Sequence, residues 1–325
     1  MDTTLRPMSI SQLLDRTFHL YRNNFLLFAG IAALPPAMLL VVQFIGLALT
    51  HFSTQLSEQA GIAVIVIAVL SGVVFLVVYL LGSALATGAT VHAVSGAHLG
   101  NPVAIVESYR AVGPLMLRII GIILLISIMA LGALVVAYAV MLIPLFVFRG
   151  GSAPVGGIFT CCLGFPLVIA GFVVMVYVYC RYALAIPACV VERIGVMASL
   201  QRSTFLSKKA LWRIFLIYFL TGILAAAIGF ALQIPNYVVG GGFRPAQTLP
   251  TQIWEIVAGF LAKTIAGPIG AIAIALVYYD QRVRKEAFDL QLMMQGMGEP
   301  PAPPPIAPPL TPPATPPAVP PAIGP

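Results

Sequence analysis

The apolar residues of this chain fall into six long runs, and each run is long enough to cross a lipid bilayer. A transmembrane helix needs about 20 apolar residues to cross a hydrocarbon core roughly 30 Å thick. We therefore expect an all-α, polytopic membrane bundle of six transmembrane helices within residues 1–297. The predicted spans are residues 25–49, 62–93, 115–148, 158–190, 214–239 and 256–279.

The segment before the first run has a helical period and two distinct faces. Apolar and small side chains share one stripe, and Ser9 and Gln12 have the spacing of a capping box that starts a helix. Arg16, His19 and Arg22 fall off the stripe, so we expect an amphipathic helix on the membrane surface. The stripe consists of Ile10, Leu13, Leu14, Thr17, Phe18 and Tyr21.

Similar short segments precede the third and the fifth runs. They begin near residues 102 and 194, so the three starts are about 92 residues apart. This spacing predicts three parallel copies of one unit, in which an amphipathic surface helix is followed by two spans.

The end of the chain has a different composition. From Pro300 to Pro325, 14 of 26 residues are proline and none is charged. Such a segment has little apolar bulk to bury and favours an extended backbone. We expect residues 298–325 to form a disordered, proline-rich tail in the cytoplasm.

Composition supports the membrane assignment independently. Hydrophobic residues make up 60% of the chain and charged residues 8%, whereas soluble domains have about 45–50% and about 25%. A soluble chain of 325 residues could not cover so much apolar surface, so the composition excludes an ordinary soluble protein.

The basic residues alternate between the segments that join the spans. Thirteen lie in the ends and the even-numbered gaps, and two, Arg149 and Arg244, lie in the odd-numbered gaps. Cytoplasmic loops carry the excess of lysine and arginine, so we expect both termini of this membrane protein in the cytoplasm. The net charge of +7 then indicates orientation and contact with anionic headgroups, and no nucleic-acid binding.

Two basic clusters on the predicted cytoplasmic face are candidate contact sites. One interpretation is that they set the topology and contact anionic lipid, and the other is that they dock a soluble protein partner. The candidates are Arg202, Lys208, Lys209, Arg213, Arg282, Arg284 and Lys285.

Lys263 lies inside the sixth predicted span, where a charge is costly unless it faces protein or water. Its stem could extend outward toward Glu255 or the outer headgroups. Alternatively, Lys263 lines a polar cavity that binds an anionic substrate or lipid. Both interpretations remain open at this stage.

Arg181 raises a similar question in the fourth span. If that span continues to Val190, Arg181 lies deep in the membrane core. If it ends near Cys180, Arg181 marks the cytoplasmic boundary and Pro187 starts the next segment. The second alternative avoids the free-energy cost of a charge in the membrane core and fits the charge pattern, so we favour it.

Few residues offer enzyme chemistry. The four histidines are scattered, and none pairs with another at the spacing of metal ligands. The four cysteines have no histidine or acidic residue nearby in the sequence, so we expect them to be small buried hydrophobic residues. We expect no catalytic site, no metal and no cofactor.

Three stretches of the chain resemble a known family. They run from Arg6 to Phe25, from Arg181 through Ser203, and from Tyr278 to Leu290. Together they resemble bacterial six-span membrane proteins of unknown function related to the membrane domain of glycerophosphoryl diester phosphodiesterases. In those enzymes a separate soluble barrel carries the metal-binding carboxylates. This chain has no segment for such a barrel, so the resemblance implies a membrane fold without the phosphodiesterase activity. It also implies a place in the bacterial inner (cytoplasmic) membrane.

These observations favour two functions. The first is a non-enzymatic membrane-organising or accessory protein with a basic cytoplasmic face. The second is a transporter or lipid-handling protein with an intramembrane cavity. An intramembrane enzyme would need a nucleophile or paired titratable groups. A polar cavity reached by Lys263 or Arg118 would favour the second function, and dry packing throughout would favour the first.

Overall fold

A computed structural model describes residues 8–53, 61–98, 103–147, 162, 164–239 and 248–286. Within these ranges the chain is helical and contains no strand. A short 3₁₀ turn, Gly113–Leu115, joins two of the helices. The helices are α1 (Ile10–Asn23), α2 (Phe25–Ser53), α3 (Gly61–His98), α4 (Ile105–Val112), α5 (Met116–Val147), α6 (Phe165–Tyr182), α7 (Ala185–Glu192), α8 (Val196–Ser207), α9 (Leu211–Val239) and α10 (Leu249–Glu286).

Six stretches of the described chain are long and apolar enough to cross a membrane. They are formed by α2, α3, α5 with the preceding α4, α6 with the following α7, α9 and α10. The fold is therefore an all-α polytopic bundle, as the sequence predicts. The predicted proline-rich tail, residues 298–325, lies outside the described residues.

The order of the helices repeats three times along the chain. Each copy begins with a short helix (α1, α4 or α8) and continues with two longer ones. The second copy has an additional short helix, α7, after its two longer helices. The short helices begin at Ile10, Ile105 and Val196, close to the predicted starts. The two long helices of each copy pack against each other, and α10 also packs along α2.

The second half of α10 is the centre of the bundle. All ten residues from Ile272 to Gln281 are buried, and ten residues cover nearly three turns, so every side of the helix is covered. In the most apolar stretch of each of the other spans, a third of the residues or fewer are buried, against half in α10. The bundle is thus tightly packed around the second half of α10 and more open elsewhere.

Helix α1 is amphipathic, as predicted, and α10 covers its apolar face. The capping box is present: Gln12 N donates to Ser9 Oγ at 3.3 Å, and Ser9 N donates to Gln12 Oε1 at 2.9 Å. Leu13, Thr17 and Tyr21 are buried. The Tyr21 hydroxyl donates to the carbonyl of Ile265 at 2.7 Å. At the start of α1, Met8 N donates to Asp280, so α1 runs antiparallel to the second half of α10.

Two differences from the predicted spans affect the candidate residues Lys263 and Arg181. The helix of the sixth span, α10, begins at Leu249 instead of residue 256, because Thr248 and Thr251 cap it. Thr248 N donates to Thr251 Oγ1 at 3.1 Å. The fourth predicted span is divided between α6 and α7. Pro187 has no N–H to donate to the carbonyl four residues earlier, at Ala183, where the helix is interrupted.

Candidate functional site: a charged cavity and an ion-paired basic end

A cavity of about 700 Å³ lies between α2, α3, α9 and α10. It occupies the first half of α10, away from the fully buried second half. It is not enclosed, so molecules can reach it from the surface of the bundle. Most of its lining is apolar, and its polar side chains come from all four helices. These are Gln43, Ser71, Gln233, Glu255 and Lys263.

The cavity lies where three of its helices carry a glycine, which has no side chain to fill the space. At Gly46, Gly72 and Gly259, no described atom lies within 4 Å of the position that a Cβ would take. At Gly82, by contrast, a Cβ would lie 3.0 Å from the Pro35 Cα. Helices α2 and α3 therefore touch at Gly82 and leave space between them further along, where the cavity lies.

Lys263 and Glu255 are the two charged groups of the cavity. Both residues line the cavity and are exposed in the structure. Neither forms an ion pair with the described part of the chain. Eight residues of α-helix separate them, which corresponds to about 12 Å along the axis. They therefore do not neutralise each other directly.

Lys263 also lies far from the start of its helix. The indole of Trp254, a residue typical of the membrane interface, donates to the carbonyl of Leu232 at 3.1 Å. Lys263 lies about 13 Å further along the axis from Trp254. The predicted span begins at residue 256, whereas α10 begins at Leu249, so Lys263 lies about two turns further from the start of its helix than predicted.

The opposite end of the bundle, where α1 begins and α10 ends, carries most of the other candidate residues; we call it the basic end. Asp280 is the centre of its first cluster. The side chain of Asp280 is fully buried, and Oδ2 lies 2.9 Å from Arg213 Nη1 and 2.9 Å from Arg284 Nε. The backbone N–H of Met8 donates to Oδ1 at 2.8 Å. Both arginines also donate to the Met8 carbonyl.

Glu192 and Glu286 form the second cluster of the basic end. Arg202 Nε lies 2.9 Å from Glu192 Oε1, and the same guanidinium pairs with Glu286. Arg282 Nε lies 3.3 Å from Glu286 and 3.9 Å from Glu192. The Tyr278 hydroxyl donates to Glu192 Oε1 at 2.6 Å. Burial lowers the pKa of Arg202, but the bonds to both glutamates outweigh it and hold that pKa above its ordinary value.

Cations also occupy the carbonyl ends of two short helices. Lys285 Nζ donates to the carbonyls of Phe205 and Lys208, at 2.6 and 2.8 Å, at the end of α8. Arg118 Nη1 donates to the carbonyl of Arg193 at 2.9 Å, just after α7. Such contacts satisfy carbonyls that have no partner within the helix and interact favourably with the helix dipole.

Most of the candidate basic residues thus contact their own chain. Arg202, Arg213, Arg282 and Arg284 pair with carboxylates, and Lys285 caps α8. The side chains of Lys208 and Lys209 are exposed. The four-residue spacing in the sequence indicates only the pairs Asp280–Arg284 and Arg282–Glu286, and the structure contains both. The other acidic partners come from distant segments.

Arg181 lies in the last turn of α6, at the end of a helix that stops at Tyr182. Its guanidinium donates to the Tyr177 hydroxyl and lies over that ring. Its carbonyl accepts hydrogen bonds from Ser203 Oγ at 2.9 Å and Ser207 Oγ at 3.0 Å. Helix α6 thus ends close to Cys180, and two serines of α8 donate to its last turn. That this end marks the cytoplasmic boundary of the membrane stays a prediction, because the apolar stretch continues to Glu192.

The cysteines and histidines show no catalytic arrangement in the part of the chain that the structure describes. Cys180 and Cys189 are buried, as predicted, whereas Cys162 is exposed; Cys161 lies outside the described residues. No three histidine, cysteine or acidic side chains among the described residues could hold a metal ion.

The chain matches no protein-family model, no curated protein and no solved structure. The geometry of the cavity and of the basic end is therefore the basis for any statement about function.

Proposed function

We propose that this integral membrane protein is a lipid-handling protein, which takes the anionic headgroup of an amphiphile into the cavity between α2, α3, α9 and α10. The observation that carries the proposal is the placement of Lys263. A lysine within an apolar span costs about 2.5–3.5 kcal/mol on insertion scales. An anionic ligand in a cavity that already contains the ammonium group compensates that cost.

The lining of the cavity favours a lipid over a small polar solute. Its polar groups are few, and aliphatic and aromatic side chains surround them. Such a surface accommodates acyl chains while the charged groups bind the headgroup. The cavity is also open to the surface of the bundle, which gives a lipid a path from the bilayer. The apolar lining includes Leu39, Val42, Leu47, Leu49, Phe75 and Phe260.

The basic end supports an accessory function less well. A surface that docks an acidic partner needs cations that are available. At the basic end, four of the arginines already pair with the carboxylates of Glu192, Asp280 and Glu286. Lys208 and Lys209 remain exposed beside the exposed Trp212. That combination suits contact with anionic headgroups at the membrane surface.

We further propose that the basic end faces the cytoplasm of a bacterium and that the cavity lies toward the outer half of the inner membrane. Thirteen of the loop cations belong to segments on one side of the spans, which supports this orientation. A reporter fused after the last residue tests it. A green fluorescent protein fusion should fluoresce and an alkaline phosphatase fusion should be inactive, and the reverse result would contradict the orientation.

The lipid-handling proposal is tested by the variant Lys263→Met, which removes the charge and keeps an unbranched side chain. The full chain, purified in mild detergent, is examined by native mass spectrometry for retained phospholipid. We expect the wild type to retain lipid and the variant to bind it about tenfold more weakly, because one charge-assisted contact is lost.

Arg110→Met on α4 is the matched control, because Arg110 is exposed and far from the cavity. It should retain lipid as the wild type does. Because Lys263 contacts no buried partner in the described chain, both variants should unfold at the wild-type temperature. Equal lipid retention by Lys263→Met and the wild type would refute the proposed function.

A further inference from the structure

The cavity holds two opposite charges that the described chain leaves separate. Lys263 and Glu255 both line it, and both are exposed in the structure. No ion pair among the described residues includes either of them. They lie about 12 Å apart along α10. The basic end shows the contrasting arrangement, in which the carboxylates and guanidinium groups lie within 4 Å of each other.

A ligand with one kind of charge would satisfy only part of this cavity. An anionic group beside Lys263 would leave the Glu255 carboxylate uncompensated at the edge of an apolar environment, where unpaired charges are unfavourable. The carboxylate would also repel a second negative charge on the same ligand. A ligand that carries a negative group and a positive group at opposite ends compensates both side chains.

We propose that the cavity recognises a zwitterionic headgroup in which a phosphate binds Lys263 and an ammonium group binds Glu255. This inference rests on the proposed function. Side chains on a helix lean toward its N-terminus, so the long Lys263 stem shortens the distance of about 12 Å along α10. The remaining gap fits a phosphate and an amine joined by a short linker. The amides of Gln43 and Gln233, which line the same cavity, can donate to the phosphate or accept from the ammonium.

The apolar lining assigns the headgroup to a lipid. A water-soluble phosphate ester with the same two charges would leave the leucine and phenylalanine side chains of the cavity without a partner. Phosphatidylethanolamine has the required chemistry: a phosphate, a primary ammonium group two carbons away and two acyl chains. Phosphatidylglycerol is the matched probe, because it has the phosphate and the chains but no ammonium group.

The test compares these two lipids on the full purified chain. Native mass spectrometry gives the apparent affinity of each lipid for the wild type and for Glu255→Gln, which removes the charge and keeps the shape. We expect the wild type to bind phosphatidylethanolamine about tenfold more tightly than phosphatidylglycerol, because a hydrogen bond between two charged groups is added. Glu255→Gln should remove this preference.

Glu107→Gln on α4 is the control, since Glu107 is exposed and outside the cavity, and it should keep the preference. A wild type without preference, or a Glu255→Gln variant with an unchanged preference, would overturn the inference. Competition by phosphoethanolamine as effective as that of the lipid would overturn the assignment to a lipid.

The two proposals fail in different ways. If Lys263→Met weakens both lipids equally and Glu255→Gln changes neither, the zwitterion inference is wrong and the lipid-handling function stands. If neither variant changes the affinity of either lipid, both are wrong.

Discussion

Asp280 shows at the scale of a single residue how this protein places a charge inside its most buried region. The carboxylate is fully buried, and it accepts from Arg213, Arg284 and the backbone of Met8. These donors come from three separate parts of the chain. A buried charge is tolerated when its partners are close and well aligned, so Asp280 fixes the start of α1 and the start of α9 against α10.

The variant Asp280→Asn should therefore destabilise the fold. It leaves the partly buried Arg213 guanidinium without its carboxylate, and removing one partner of a buried pair costs about 3 kcal/mol or more. Thermal unfolding in detergent should show a clearly lower midpoint than for Asp15→Asn, an exposed aspartate on α1. Equal midpoints for the two variants would show that the cluster adds no stability.

The sequence could predict local charge pairs but not those between distant segments. Asp280–Arg284 and Arg282–Glu286 follow from the four-residue spacing on one helix face. The pairs of Arg213 with Asp280 and of Arg202 with Glu192 need the fold, because helical period alone says nothing about which helices meet. For the same reason the basic clusters looked available in the sequence, although carboxylates from other segments pair with Arg202, Arg213 and Arg282.

At the scale of the helices, the long apolar runs were predictable and their ends were less so. Hydropathy alone places the start of the sixth span at residue 256, but the helix begins at Leu249. The sequence signals were present: Thr248 and Thr251 have the spacing of a cap, and Pro250 is well tolerated in a first turn. The extra two turns matter, because they place Lys263 deeper along the helix.

Two glycines of α3 show how one helix can both pack and open. At Gly82, a side chain would meet the backbone of Pro35 at 3.0 Å, whereas at Gly72 no described atom lies within 4 Å. The sequence predicts close packing at Gly82, since Gly82, Ala86 and Thr90 follow one another at four-residue spacing. The open space at Gly72 depends on the path of α2 and α10, which the sequence of α3 does not contain.

At the scale of the whole molecule, the bundle has two different halves. Around the second half of α10 every side is covered, and ion pairs join α7, α8 and α9 to it. A hydrogen bond from the backbone of Met8 joins the start of α1 to it. Around the first half of α10 the helices leave a cavity that contains Lys263 and Glu255. We infer that the packed half holds the bundle together and that the open half binds the ligand.

The fold class and the three-fold order of helices could be read from hydropathy and spacing, whereas the cavity could not. Lys263 was a candidate because a charge within a span is costly. In the sequence, Glu255 was a candidate only as the group toward which the Lys263 side chain extends. Gln43 and Gln233 belong to α2 and α9, far away in the sequence. Their convergence depends on which helices are neighbours, and that is a property of the packed bundle.

The most direct test of this account fills the cavity without changing a charge. Gly259→Leu places a side chain in the open space beside Lys263, where no described atom would clash with its Cβ. Gly222→Leu on α9 is the matched control, since its Cβ position is equally free and it does not line the cavity.

The measurement is the number of phospholipid molecules that remain bound to each purified variant in native mass spectra. The account predicts that Gly222→Leu retains lipid as the wild type does and that Gly259→Leu loses it, with both unfolding at the wild-type temperature. Undiminished lipid on a folded Gly259→Leu variant would contradict the claim that this cavity is the binding site.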